Sequence, residues 1–306
     1  MPEPDSPKGA WLPRWFWPSF AAPATLWLVL LFVVPFYVIL AVAFGHLDQI
    51  FLTPIPVYDP IHWETGSFSG VVHQTLTHGS IYQTVFVHTI VYVGVATVLC
   101  LVIGYPVAYF LARHAGRWRT VFLVAIVAPF WISYMMRMFA WINLLQVDGY
   151  VNRILQALHI VHEPVLWLSG RPTTVVLGLV YGYIPFMILP LFATLDRIEP
   201  SLLEASRDLG GGQISTFLRV TLPLSRQAIL AGCVIVTLPM FGDYFTTTLL
   251  SGSPKTAMLG NLIESSISSS LVRDGAALVV VLMILLLAPM WYYLRSTAKA
   301  QELAGP

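Results

Sequence analysis

Residues 200–223 read Pro-Ser-Leu-Leu-Glu-Ala-Ser-Arg-Asp-Leu-Gly-Gly-Gly-Gln-Ile-Ser-Thr-Phe-Leu-Arg-Val-Thr-Leu-Pro, a polar island between two long apolar segments. The island opens like a short helix. Ser201 and Glu204 stand in capping-box spacing, in which each side chain satisfies a free backbone donor of the first turn. Leu202, Leu203, Ala205, Ser206 and Leu209 supply small and apolar surface, and Gly210 is a natural C-terminal stop. A helix this short is unstable alone and needs a surface to dock on. Pro223 suits the first turn of the next helix, where its missing N–H costs nothing.

Outward from the island, the composition is that of a polytopic membrane protein. Of 306 residues, 57% are hydrophobic and only 10% are charged, and the mean hydropathy is +0.75. The net charge of +1 gives no field for a nucleic-acid partner. Cys100 and Cys233 both lie in apolar runs and read as small buried hydrophobes, so neither a disulfide framework nor a metal site is expected. The four histidines of the segment 45–80 (His46, His62, His73, His78) match no ligand spacing and read as solvated.

Six apolar spans are expected, at Ala24–Phe44, Ile81–Leu111, Val121–Leu145, Thr173–Leu195, Leu222–Leu250 and Ala276–Leu294. Each approaches or exceeds the roughly 20 residues that cross a bilayer. An N-terminal segment 1–23, with Trp11, Trp15, Phe16 and Trp17 around Arg14, suits the membrane interface. Residues 24–296 form the membrane domain, and 297–306 form a tail. A short amphipathic helix is expected near 150–160. With the N-terminus in the cytoplasm, eleven of the sixteen Lys and Arg fall on inner segments, among them Arg113, Arg117, Arg119, Arg197, Arg207, Arg219 and Arg226. Four fall outside (Arg153, Arg171, Lys255, Arg273) and Arg137 lies within a span. That asymmetry puts both termini and residues 200–223 in the cytoplasm.

The island resembles the Glu-Ala-Ala loop of the permeases of ABC importers. Glu204, Ala205, Ser206, Gly210, Val220, Leu222 and Pro223 keep the family's spacing, with Ser in place of the second Ala and Val in place of Ile. Two further stretches are similar to the spermidine/putrescine (PotB-like) branch of that family. One comprises residues 129–134 with Arg137, Phe139-Ala140-Trp141, Gly149 and Asn152. The other comprises Phe241-Gly242-Asp243-Tyr244 with residues 249–252 and 258–263. The resemblance implies an all-α, six-span type I (MetI-like) permease fold in the bacterial inner membrane, and a non-enzymatic role. It implies that Glu204, Ala205, Ser206, Asp208 and Gly210 form a coupling helix docked on a cytoplasmic ATPase dimer, and that a second permease and an extracytoplasmic substrate-binding protein complete the assembly. The chain itself has no Gly-x-x-x-x-Gly-Lys-Ser/Thr loop, so ATP and magnesium are expected on the partner ATPase and no cofactor on this chain. No Gly-x-Ser-x-Gly motif occurs, Phe68 standing at the nucleophile position of the nearest match.

Polar residues within the spans narrow the pathway. Arg137 lies in an apolar run, where an ionisable group costs at least about 2.5–3.5 kcal/mol and turns to the protein interior. A structural ion pair is expected for it, with Asp243, Glu264 or Asp148. Asp243 follows Pro239 and Gly242, which argue for a broken helix lining a cavity. Asp243, with Tyr244, Trp131, Tyr134 and Tyr183, is the expected contact set for a cationic substrate. The rival from another class is a stand-alone secondary transporter or channel, whose proton or ion relay would have only Arg137, Asp243 and His88 to draw on. For the orientation, Gly66→Cys and Gly252→Cys are expected to react with an impermeant thiol reagent added to intact cells, and Gly211→Cys is not; the reverse pattern would invert the topology.

Overall fold

The computed structural model describes residues 16–48 and 53–304. Trp11, Arg14 and Trp15 of the expected interfacial segment lie outside the described residues. The helices, in chain order, are α1 (Phe16–Leu28), α2 (Val34–Ala43), α3 (Gly66–Leu76), α4 (Ile81–Arg113), α5 (Arg119–Val127), α6 (Tyr134–Leu145), α7 (Tyr150–Ala157), α8 (Pro172–Arg197), α9 (Pro200–Asp208), α10 (Gln213–Thr216), α11 (Leu222–Leu224), α12 (Arg226–Phe241), α13 (Phe245–Leu250), α14 (Leu259–Ser268) and α15 (Val272–Ala304). Two short strands, His46–Leu47 and Pro54–Ile55, pair antiparallel between α2 and α3.

The core is the contact of α4 with α8, to which α12 adds a third wall. On α4, Val85, Thr89, Val93, Ala96, Cys100, Gly104, Ala108 and Leu111 are buried, a stripe recurring every three or four residues. Most of that stripe is small, and this suits a bilayer. Lipid tails are as apolar as Leu, so helices associate by close packing rather than by expelling apolar surface from water. A Cβ at Gly104 would already meet Met187 Cγ at 3.3 Å, and one at Gly232 would meet Met187 Sδ at 2.7 Å. Cys100 is fully buried in this seam and both cysteines are free, as the sequence leads one to expect. On α1 and α2, by contrast, nearly every residue from 19 to 38 is exposed, and the only helix-sized packing of this span is α2 on α15.

Among the described residues four helical stretches are long and apolar enough to cross a membrane unbroken: Ser19–Ala43, Ile81–Arg113, Pro172–Arg197 and Val272–Ala298. Two bent pairs make six, each taken as one span. The expectation of a continuous Val121–Leu145 is corrected: Gly116–Trp131 and Tyr134–Ala157 meet at 93°. Pro129 has no N–H for the preceding turn, α5 tightens into a 3-10 turn at Ala128–Trp131, and Ile132 and Ser133 are extended. The expected start of the fifth span at Leu222 is also corrected. That span begins at Gln213, widens into a π turn at Phe217–Thr221 ahead of Pro223, and bends by 62° at Ser225 before α12. Pro223 therefore lies at the end of a short helix and not in the first turn of a long one. Pro185 and Pro190 leave α8 unbroken.

The fifth span stops again after Phe241, where Gly242 and Asp243 turn the chain into α13. The start of α14 is pressed against this turn. A Cβ on Gly260 would lie 2.6 Å from the Gly242 carbonyl oxygen and 3.0 Å from the Asp243 carbonyl carbon, all of it backbone that cannot rotate away. Gly260→Ala should therefore cost about 1–3 kcal/mol of overpacking strain. It should lower the melting temperature of the detergent-solubilised protein by several degrees, whereas Gly66→Ala, into open space, should leave it unchanged.

Candidate coupling loop and pathway site

Helix α9 begins two residues earlier than a capping box at Ser201 requires. Pro200, with its φ preset for a helix, takes the first position and leaves Glu199 as the N-cap, without a side-chain cap bond. Ser201 is then inside the helix, and its hydroxyl donates to Glu199 Oε2 at 3.2 Å. The exit follows the sequence expectation. Gly210 has φ +84°, its N–H donates to the Arg207 carbonyl at 2.8 Å, and that of Gly211 donates to the Ser206 carbonyl at 3.0 Å. This is the Schellman pair, which needs a left-handed residue at Gly210.

The chain leading into α9 is pinned to the neighbouring helices. Arg113, at the end of α4, donates from Nη2 to the Ile198 carbonyl at 2.8 Å, and Arg119 pairs with Asp196 at 3.2 Å. The Ser206 hydroxyl lies 3.1 Å from that of Thr216 in α10, so this member of the expected coupling set faces its own chain. Glu204, Ala205, Asp208 and Gly210 are exposed. So are apolar side chains that a solvated loop has no reason to display, Leu209 at 90% and Ile214 at 76%. On one flank of α9 runs a polar groove between Arg113, His114, Glu204 and Arg207; on the other runs an apolar one between Leu202, Leu209, Val220 and Pro223.

The second site forms where the broken spans meet. Asp243 is 6% exposed. Its Oδ1 accepts from the Thr246 N–H at 3.0 Å, so the carboxylate caps the first turn of α13. Its Oδ2 accepts from Thr246 Oγ1 at 2.6 Å, Tyr134 Oη at 3.0 Å and Tyr183 Oη at 3.2 Å. One carboxylate thus ties α6, α8 and α13 together, and its oxygens accept from four donors. The ring of Tyr134 reaches it because Gly182 leaves room: a Cβ there would lie 2.8 Å from the ring. The Tyr244 carbonyl, which already accepts from the Thr248 N–H at 3.0 Å, also accepts from Asn261 Nδ2 at 3.1 Å, and Asn261 Oδ1 accepts from the Met258 N–H at the start of α14.

Of the residues expected along the pathway, the structure brings Asp243, Tyr134 and Tyr183 together. It does not bring Trp131, which is 81% exposed, and the Tyr244 ring stacks on Phe245 at 4.1 Å. The expected ion pair of Arg137 is corrected as well. Among the described residues no carboxylate lies within 4.0 Å of its guanidinium. The guanidinium instead sits 4.1 Å from the centroid of Phe130, 5.3 Å from Tyr134 and 5.9 Å from Tyr181. The donors on Asp243 explain why: Tyr134 lies between the two charges and has taken the carboxylate. Glu264 is engaged by Ser268 at 2.9 Å. His88 stacks on Tyr92 at 5.3 Å and reaches neither charge. Thr246, Asn261 and Gly182 escaped the sequence reading. Only Thr246 left a signal, three residues after Asp243 at capping distance.

Residues 101–294, which include α9, Arg137 and Asp243, match the family described as binding-protein-dependent transport system inner membrane component. The spermidine/putrescine transport system permease protein PotB of Escherichia coli (strain K12) is 36% identical over 184 residues, 60% of this chain and 66% of that protein. The chain thus spans just under two thirds of that relative. PotB of Haemophilus influenzae is 33% identical over 239 residues, 78% of this chain and 79% of that protein. The inner membrane ABC transporter permease protein YdcU of Escherichia coli is 34% identical over 194 residues, 59% of this chain and 61% of that protein. A chain of a bacterial ABC transporter involved in the import of the acidic polysaccharide alginate superposes with a TM-score of 0.70 at 16% identity, covering 92% of this chain and 96% of its own. A second alginate transporter structure, in complex with alginate pentasaccharide-bound periplasmic protein, gives 0.72 at 14%, covering 91% and 92%. At those identities the likeness speaks for the fold, an all-α importer-permease fold. The chain belongs to the binding-protein-dependent transport system inner membrane components, as a multi-pass permease subunit.

Proposed function

We propose that this chain forms half of the membrane pathway of an ATP-driven importer whose cargo is a polyamine such as spermidine or putrescine. Nucleotide and magnesium belong to a cytoplasmic ATPase dimer. A second permease supplies the other half of the pathway, and an extracytoplasmic binding protein delivers the cargo. Both termini and α9 face the cytoplasm. The observation that carries the reading is α9 with its flanks: a short helix anchored ahead of its first turn by Arg113, closed by a Schellman turn, and exposing Leu202, the adjoining Leu209 and, on α10, Ile214. ATP-driven closure of the ATPase pair moves α9, and the bent spans pass that motion to the outer end of the pathway. The names of the PotB relatives supply the cargo class.

Polyamines carry several ammonium groups, and each needs negative or π-rich surface when its water is stripped. Asp243 is the carboxylate for that task. The hydroxyls of Tyr134 and Tyr183 hold its charge in place and yield lone pairs to an arriving ammonium group, and their rings then lie beside the cation.

Two experiments test this reading in membranes holding the complete importer. Glu204→Lys should leave insertion intact while uptake falls sharply and substrate no longer stimulates ATP hydrolysis; uptake preserved at normal expression refutes the coupling role of α9. Asp243→Asn should cut spermidine uptake more than tenfold with the ATPase still bound. Tyr183→Phe, which removes one of four hydrogen bonds, should cut it only a fewfold. Equal uptake in Asp243→Asn and wild type would move the cation site elsewhere.

A further inference from the structure

Arg137 is 9% exposed, and its Nε and Nη1 are buried without any hydrogen-bond partner. An arginine cannot escape such a place by losing its proton, as a lysine can. Three aromatic rings around the guanidinium offset part of the cost, but none of them carries a charge. The near carboxylate, Asp243, is taken by Tyr134, Tyr183 and Thr246. The site is electropositive for a second reason. Arg137 lies in the first turns of α6, whose N-cap Ser133 makes no side-chain cap bond, so the positive end of the helix is bare as well.

The surroundings say what kind of matter supplies the missing anion. Trp131, Ile132, Met136 and Phe139 are all exposed on the same stretch, which argues against open water. A guanidinium without acceptors within a span argues against lipid, because hydrocarbon offers it neither hydrogen bonds nor a counter-charge. What remains is protein inside the membrane. We propose that this face of α6 packs against the second permease subunit, and that a carboxylate from one of that subunit's spans pairs with Arg137. The proposal rests on the two-permease assembly given above. Arg137 is then a registry element: it lets the two halves lock only where a partner carboxylate meets it, beside the Asp243 cluster that lines the pathway.

The test uses the complete importer, purified from membranes through a tag on this chain. The ratio of second permease to tagged chain in the wild type sets the reference. Arg137→Glu is expected to lower that ratio at least tenfold, and Arg137→Lys to keep more than half of it. In the Arg137→Glu background, replacing one membrane-embedded Asp or Glu of the second permease by Arg should restore both assembly and uptake. Where Arg137→Glu does not accumulate, the same charge reversals are read on its accumulation. Recovery within twofold of wild type in Arg137→Glu, or a defect that no such reversal repairs, overturns the proposal. A wild-type chain that brings down an ATPase but no second permease refutes the assembly itself, and does so before any variant is made.

Discussion

The carboxylate of Asp243 is the point on which the outer half of the structure depends. Two of the six spans are broken, and broken helices in a membrane leave backbone groups that lipid cannot satisfy. Asp243 gathers the free first turn of α13 and the hydroxyls of Tyr134 and Tyr183 into one shared set of hydrogen bonds. In a low-dielectric interior such a set is strong when complete and costly when any member is missing. The 93° bend after Trp131 and the turn after Phe241 are joined through this set: Tyr134, just past the first break, donates to Asp243 at the second.

Around that point the helices come close because their contact surfaces are small. Gly182 admits the Tyr134 ring, Gly260 admits the backbone of the Gly242 turn, and Gly104 and Ala108 bring α4 against α8. Without a hydrophobic driving force between helices, this proximity is what stabilises them. The same packing fixes the geometry of the cluster: α8 carries Tyr183 to within 3.2 Å of Asp243.

At the α9 end the logic reverses. Helix α9 is held by Arg113 and the Schellman turn, yet it shows apolar side chains to solvent. A rigid base and an uncovered face are what a lever between two proteins needs, since a flexible loop would absorb the motion it is meant to pass on. Arg137 and the exposed face of α6 state a similar incompleteness within the membrane. Both features make sense for a subunit and little sense for a solitary transporter.

Much of this was already legible in the chain. The number and order of the spans, the polar island, the C-terminal stop at Gly210 and the interruption after Pro239 all follow from local rules, namely apolar length, turn chemistry and the φ freedom of glycine. The amphipathic stretch at 150–160 appears as α7. Ser201 misled because two capping rules compete there, and Pro200 wins by starting the helix first. Only the tertiary structure decided which polar groups within the membrane meet. Arg137 and Asp243 are opposite charges 106 positions apart, and an ion pair is the natural expectation from sequence. Whether two side chains touch, however, depends on the angle at which two helices break and on what stands between them. Here the 93° bend sets Tyr134 between the two, gives the carboxylate to the phenol, and leaves the guanidinium among aromatic rings.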